Sequence, residues 1–265
     1  MSIHDENPLA EDLERVLELA ERDLQALSGS RLFVTGGTGF FGRWLLEALA
    51  FANRRLRTRI RATILTRNVA AFRHKAPNLA EFTCFDYVEG DVRNFAFPEG
   101  TYSDVIHLAA PTNVGTIKER PVETLEIAAA GTRHVMDFAV GHRVRRVLLA
   151  SSGAVYGRQP PEMDHIEETC LMGPDTMDPQ VAYHEGKRVA EWTCAMYAAN
   201  HEIQAKIARC FAFVGPHLPL DGHYAVGNFI RDALNERPIQ VNGDGTPWRS
   251  YLYAADLVVW LLAVL

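Results

Sequence analysis

Leu32-Phe33-Val34-Thr35-Gly36-Gly37-Thr38-Gly39-Phe40-Phe41-Gly42-Arg43-Trp44-Leu45-Leu46 is the stretch on which the reading of this chain turns. An apolar run, a glycine turn and an amphipathic run follow one another directly, which predicts strand, turn and helix. A helix starting at such a turn aims its free N–H groups and the positive end of its dipole at one point, where a pyrophosphate can sit. The glycines read either as G-x-x-G-x-x-G through Gly36, Gly39 and Gly42 or as G-x-G-x-x-G through Gly37, Gly39 and Gly42. Under both readings the first glycine permits the tight turn, Gly39 lets backbone approach phosphate, and Gly42 lets the helix pack close to its strand. A glycine-rich turn without a ligand is the competing reading, and the residues downstream weigh against it.

Outward from this stretch, strand-like runs fall at Arg31–Thr35, Ile60–Thr66, Phe82–Val88, Asp104–Leu108, Arg146–Ser151 and Ala205–Cys210. Helical patterns such as Trp44–Asn53, Val122–Val140 and Ala182–Asn200 lie between them. The alternation predicts an α/β chain with a doubly wound parallel sheet of the Rossmann kind and right-handed crossovers. Ahead of it, Leu13, Val16, Leu17, Ala20, Leu24 and Leu27 recur at three- and four-residue intervals. They predict an extra amphipathic N-terminal helix over residues 9 to 27, its stripe packed on the chain's own body, with a partner interface as the alternative. The segment Arg158–Pro179, broken by prolines and Gly173, reads as an irregular excursion over the carboxyl ends of the strands. Three parts are expected: an N-terminal helical extension at 1–29, a dinucleotide-binding domain at 30–210, and a small, shortened C-terminal substrate region at 211–265. The apolar ending Val258-Val259-Trp260-Leu261-Leu262 requires a cover.

The 265 residues carry a formal net charge of −6 and are 48% hydrophobic, an ordinary globular balance that gives no reason to expect nucleic acid. No apolar run is long enough for a membrane span, and the polar, acidic start from Met1 to Pro8 is not a secretory signal, so a cytoplasmic location is expected. Cys84, Cys170, Cys194 and Cys210 show no C-x-x-C pairing and read as reduced core or near-core thiols. The ten histidines show no metal-ligand spacing; His107 reads as a strand-end residue, and no metal is expected.

Tyr183 and Lys187 stand four apart at the start of a helical pattern, on one face about a turn apart. A phenol with an ordinary pKa of about 10 becomes a useful base when an ammonium favours its phenolate. It can then take a proton from an alcohol as hydride leaves the same carbon. Ser151 and Ser152 end an apolar strand, where a hydroxyl can hold the reacting oxygen.

The glycine turn, the strand-end serine and Tyr-x-x-x-Lys in that order resemble the short-chain dehydrogenase/reductase superfamily, in its extended branch of NAD(P)-dependent nucleotide-sugar epimerases and dehydratases. The resemblance covers roughly residues 30 to 262. It is carried also by Gly90-Asp91-Val92-Arg93, His107-Leu108-Ala109-Ala110, Ser151–Gly157, Tyr183-His184-Glu185-Gly186-Lys187, Val214-Gly215-Pro216 and Gly243–Arg249. It implies that Tyr183 is the acid or base, Lys187 lowers its pKa and holds the nicotinamide ribose, and Ser152 orients the substrate oxygen. It implies further that the backbone around Gly36, Gly39, Phe40, Phe41 and Gly42 meets the pyrophosphate. Asp91 and Val92 would meet the adenine, Ala109 and Ala110 would line the ribose path, and Arg249 would meet the diphosphate of a nucleotide-diphosphate sugar. A homodimer through the helices Val122–Val140 and Ala182–Asn200 is expected.

Three departures from that pattern sharpen the reading. Gly153 and Ala154 stand where dehydratases and several decarboxylases of this branch carry acids. Chemistry needing only a hydride and the Tyr183 proton is therefore favoured, namely epimerisation, most naturally at C4, or ketone reduction. A 4,6-dehydratase drawing on Glu185, Glu167 or Glu168 is the alternative, and a non-catalytic dinucleotide-binding module is another. No acid lies between Glu47 and Glu81, whereas Arg67 ends the second strand, which favours NADP over NAD. Ala212 replaces an asparagine the family uses on substrate, and the family usually continues beyond the final helix, so the chain reads as a shortened product.

Overall fold

The computed structural model describes residues 7–111, 114–222, 224–246 and 248–265; Met1–Glu6 and Pro247 of the Gly243–Arg249 motif lie outside the described residues. Six parallel strands form the main sheet: β1 (Arg31–Thr35), β2 (Arg61–Thr66), β3 (Phe85–Glu89), β4 (Asp104–His107), β5 (Arg146–Ser152) and β6 (Gln204–Cys210). Their order is β3-β2-β1-β4-β5-β6, so the strand order reverses between β1 and β4, and the crevice above the carboxyl ends of these two strands is where such sheets take ligands.

The period-two alternation of each strand sorts side chains between two layers. Leu32 and Val34 join the cluster formed with α1 (Ala10–Ala26), α2 (Phe40–Arg55) and, near the C-terminus, α9 (Ala254–Val264). Phe33, Val105, Val147 and Leu149 face the opposite layer, built on α6 (Pro121–Gly141) and α7 (Ala182–Asn200). Between these elements lie α3 (Val69–Lys75), α4 (Pro77–Ala80) and α5 (Val114–Glu119), three short helices with too few residues to show a period in the sequence. A second, two-stranded parallel sheet pairs β7 (Ala212–Val214) with β8 (Tyr251–Tyr253), and α8 (Ala225–Leu234) lies between them in the chain. The indole of Trp44 in α2 donates to the Pro216 carbonyl at 2.8 Å, which ties this small sheet to the helix that follows the glycine turn.

The N-terminal helix packs on the chain itself: Leu13, Val16, Leu17, Ala20 and Leu24 are buried against α2 and α9. It is thus the cover that the apolar C-terminal run requires, and the Tyr253 hydroxyl donating to Asp12 at 2.9 Å pins the two ends of the chain together. The irregular segment is held along α7 and β6, where Arg188 donates to the carbonyls of Val155 and Met172 and Arg209 to that of Glu168. Burial of Leu24 in this contact makes Leu24→Ala costly: a loss of about 2–5 kcal/mol of unfolding free energy is expected by urea denaturation. Leu19→Ala, on the exposed face of the same helix, should stay within about 0.5 kcal/mol.

Candidate active site

The glycine turn closes by backbone contact alone. Gly36 sits at φ +71°, and a Cβ there would lie 2.6 Å from the Ala109 nitrogen, so Gly36 is the residue that turns the chain. A Cβ on Gly42 would lie 2.3 Å from the Gly37 Cα, and one on Gly37 would lie 2.7 Å from the Ile64 side chain. Gly39 is the N-cap of α2, no side chain caps that helix, and a Cβ on Gly39 would meet only the Gly36 oxygen within 4 Å. The amino end of α2, with Phe40 and Phe41 in its first turn, is thus left to an outside acceptor, and this cradle fits a dinucleotide pyrophosphate.

A buried polar chain braces the turn from below. Thr35 Oγ1 lies 2.6 Å from His107 Nδ1, His107 Nε2 lies 3.1 Å from Thr132 Oγ1, and the Ala109 amide donates to Thr35 Oγ1 at 3.2 Å. Burial, with the Lys187 charge adding to it, pushes the His107 imidazole down to about 3, so it is a neutral spacer. Ala109 and Ala110 follow directly at the crevice, only half-buried.

Beyond β4, Ser152 ends β5 and caps the next turn by accepting from the Ala154 amide at 3.2 Å. Tyr183 stands in the first turn of α7, near enough to Ser152 for that hydroxyl to act on its phenol, so the structure brings these two sequence-chosen residues together. The Ser152 contact favours the phenolate, but burial dominates and pushes the Tyr183 phenol above its ordinary value, with Tyr224 and Cys210 adding to the rise. Lys187, one turn on, is buried, and its ammonium donates to the Ala150 carbonyl at 2.6 Å. That carbonyl satisfies one donor of the ammonium inside the fold. The physical reason is that an ammonium taken from water needs an acceptor wherever it is buried. Burial pushes that ammonium down to about 8.

Just past β3, Asp91 accepts from the Arg93 amide and, through both oxygens, from its guanidinium at 2.8 and 2.9 Å. The Arg93 hydrogen bonds outweigh burial and hold the Asp91 carboxyl below its usual range, and Arg67 contributes to the same effect. Val92 is buried beside Gly131 of α6. Arg67 is exposed just past β2. An acid absent from that stretch of sequence arrives from the next strand, since Glu89 at the end of β3 is in register with Thr66 and accepts from the Val69 amide at 3.0 Å. Arg249 lies exposed in an extended run, donates to the carbonyl of its neighbour Trp248, and has no contact with the Ser152–Tyr183 pair.

Sequence reading missed two groups. Tyr224, at the N-cap of α8, acts on the Tyr183 phenol across the cleft, and nothing in its local sequence signals that approach. Glu191, four past Lys187, accepts from Ser151 at 2.5 Å and from Arg209, and its i,i+4 spacing was the available signal. Among the described residues, no group of three metal-ligating side chains occurs, and no helix is long and apolar enough to cross a membrane.

Known proteins resemble this chain over most of its length. UDP-glucuronic acid decarboxylase 1 of Xenopus tropicalis is 29% identical over 249 residues, 93% of this chain and 55% of that protein. UDP-glucuronic acid decarboxylase 6 of Arabidopsis thaliana is 31% identical over 243 residues, 90% of this chain and 66% of that protein. The chain thus spans about half to two thirds of the length of these relatives. The UDP-glucuronic acid 4-epimerase of Bacillus cereus, solved with UDP-glucuronic acid and NAD, shares the fold with a TM-score of 0.71 at 22% identity, over 86% of this chain and 70% of that one. With the family model matching residues 32–265, this chain belongs to the NAD dependent epimerase/dehydratase family.

Proposed function

We propose that this chain oxidises or reduces a sugar carbon, C4, of a nucleotide-diphosphate sugar, as an epimerase or ketoreductase that uses a nicotinamide dinucleotide. The observation that carries this reading is the approach of Tyr183, in the first turn of α7, to Ser152 at the carboxyl end of β5, two strands from the glycine cradle. When bound, the dinucleotide supplies the hydride acceptor or donor; Gly36, Gly39, Phe40, Phe41 and Gly42 would hold its pyrophosphate, Asp91 and Val92 its adenine, and Ala109, Ala110 and Lys187 its riboses. Ser152 holds the reacting oxygen. Tyr183 exchanges its proton, and because burial keeps the phenol protonated in the free chain, it starts as the acid of the reductive direction. It becomes the base once its proton has passed to a ketone oxygen.

The residues beside this pair support chemistry without a further acid. A Cβ on Gly153 would press on the Phe211 ring at 2.4 Å, so that ring takes the space a side chain at this position would use. Glu185 lies 3.7 Å from Arg188, and Glu191 is held by Arg209 and Ser151, so both acids near Tyr183 are engaged. The relatives named as UDP-glucuronic acid decarboxylases, and the epimerase solved with UDP-glucuronic acid, support a uridine diphosphate sugar as substrate. Exposed Val122 and Leu125 on α6 with Val189 and Trp192 on α7 support a homodimer through these two helices. An exposed Arg67 beside Asp91 supports a preference for NADP over NAD, because a guanidinium pairs bidentately with a 2′-phosphate.

Incubating the protein with UDP-sugars and dinucleotide should yield the 4-epimer or the reduced sugar, read by chromatography and NMR. Tyr183→Phe should lower turnover about a hundredfold or more, and retention of a tenth of the activity, or a 4-keto-6-deoxy product, would count against this reading. Arg67→Asp should weaken NADP binding far more than NAD binding in fluorescence titrations, whereas equal losses would remove the preference. For Lys187 the linkage has a definite sign. Its folded pKa lies below its ordinary 10.5, so the folded chain binds fewer protons between pH 8 and 10.5, and burying the ammonium destabilises it below pH 8. Lys187→Met should therefore abolish activity yet stabilise the fold at pH 7, by up to roughly 3 kcal/mol less the cost of an unpaired Ala150 carbonyl. In urea denaturation that gain should shrink as the pH rises from 8 through 10.5.

A further inference from the structure

At the amino-terminal edge of the sheet, opposite the dinucleotide crevice, a cavity of about 470 Å³ opens between the starts of β1, β4 and β5. Arg31, Arg143 and Arg145 line it, with Ser30 and Thr101 between them. We propose that this cavity is a second anion site, shaped for a small ligand that carries a diphosphate.

The fold places the Arg31 guanidinium and the backbones of Arg143 and Arg145. Arg31 is laid over the Tyr102 ring at 4.8 Å, donates to Thr63 Oγ1 at 3.1 Å and pairs with Asp86 at 3.4 Å, so the charge free for a ligand comes chiefly from Arg143 and Arg145. That placement depends on Gly100, at φ +124°, where a Cβ would lie 2.4 Å from the Arg31 guanidinium. The Arg31 Nε is buried, and no acceptor among the described residues meets it. Arg143 stands in the left-handed region at φ +53°, at the turn that follows α6. Arg145 is fixed on both sides, its amide donating to the Ser103 carbonyl at 3.2 Å and its carbonyl accepting from Gln204 at 2.8 Å.

The electrostatics agree with this placement. Among the described residues no carboxylate pairs with Arg143 or Arg145, and both are exposed at the rim. In a chain of net charge −6, the same edge also carries Arg54, Arg55, Arg57, Arg59 and Arg61 within eight residues. Only Arg55 and Arg61 of these five are in ion pairs, with Glu14 and Asp86. Arginines that line one concavity can match phosphate oxygens bidentately, and the volume is that of a small-molecule pocket.

Arginine labelling with phenylglyoxal, read by peptide mass spectrometry on the full chain, tests this independently of the dinucleotide crevice because it resolves each residue. Inorganic pyrophosphate should slow labelling of Arg143 and Arg145 roughly fivefold or more, as about 80% occupancy requires, and leave exposed Arg237 unchanged. Protection by UDP at lower concentration than by pyrophosphate would assign the site to nucleoside diphosphates, and the reverse order to inorganic diphosphate. Labelling of Arg143 and Arg145 that matches a chloride control of equal ionic strength in both arms would overturn the proposal.

Discussion

The close approach of two backbones at Gly36 is the constraint on which the rest of this structure depends. The turn after β1 passes so near the Leu108–Ala109 peptide that no side chain fits between them, with a built Cβ falling 2.6 Å from both Leu108 C and Ala109 N. Because the turn lies this low, α2 starts directly above the carboxyl ends of β1 and β4 and presents its uncapped amino end to the crevice. A second Cβ-free contact, of Gly42 on Gly37, sets the angle at which α2 leaves. The Thr35–His107–Thr132 chain then fixes β1, β4 and α6 relative to one another with hydroxyls and a neutral imidazole. A charged group in that place would cost several kcal/mol of desolvation, and burial removes the cost by keeping His107 unprotonated.

The site built on this base is electrostatically restrained in the free chain. Tyr183 is held protonated by burial, Lys187 spends its ammonium on a strand carbonyl, and the acids near them are engaged by arginines. Side chains buried in this way need neither a phenolate nor an ammonium without an acceptor, both of which are expensive away from water. At the other edge of the sheet, Asp86 and Asp104 pair with Arg31, Arg61 and Arg146, while Arg143 and Arg145 line an open cavity with no carboxylate partner among the described residues.

Much of the architecture was legible because it rests on local periodicity and chain order. The helix over Ala182–Asn200 has the bounds that its pattern predicts, and the six strands fall within three residues of theirs. Helices α3, α4 and α5 and the pairing of β7 with β8 were not legible, since short elements carry no period and parallel partners far apart in the chain share no local signal. Around the site, Ser152 and Tyr183 could be chosen from residue type and spacing. That Lys187 would turn to Ala150, that Asp91 would be gripped by Arg93, and that Tyr224 would face Tyr183 depend on which acceptor or neighbour is nearest once the chain is packed.

By itself, then, the sequence determined the succession of strands and helices, the glycine turn and the residue types available for proton transfer, because these follow from short-range sterics and from side-chain chemistry. Only the tertiary structure decided which of the two glycine readings turns the chain, that Glu89 of β3 lies in register with Thr66 at the end of β2, what covers the apolar C-terminal helix, and which acceptor meets the buried Lys187 ammonium. Those outcomes are set by contacts between residues remote in the chain, whose energies depend on distance and burial, and neither quantity exists before the chain is folded.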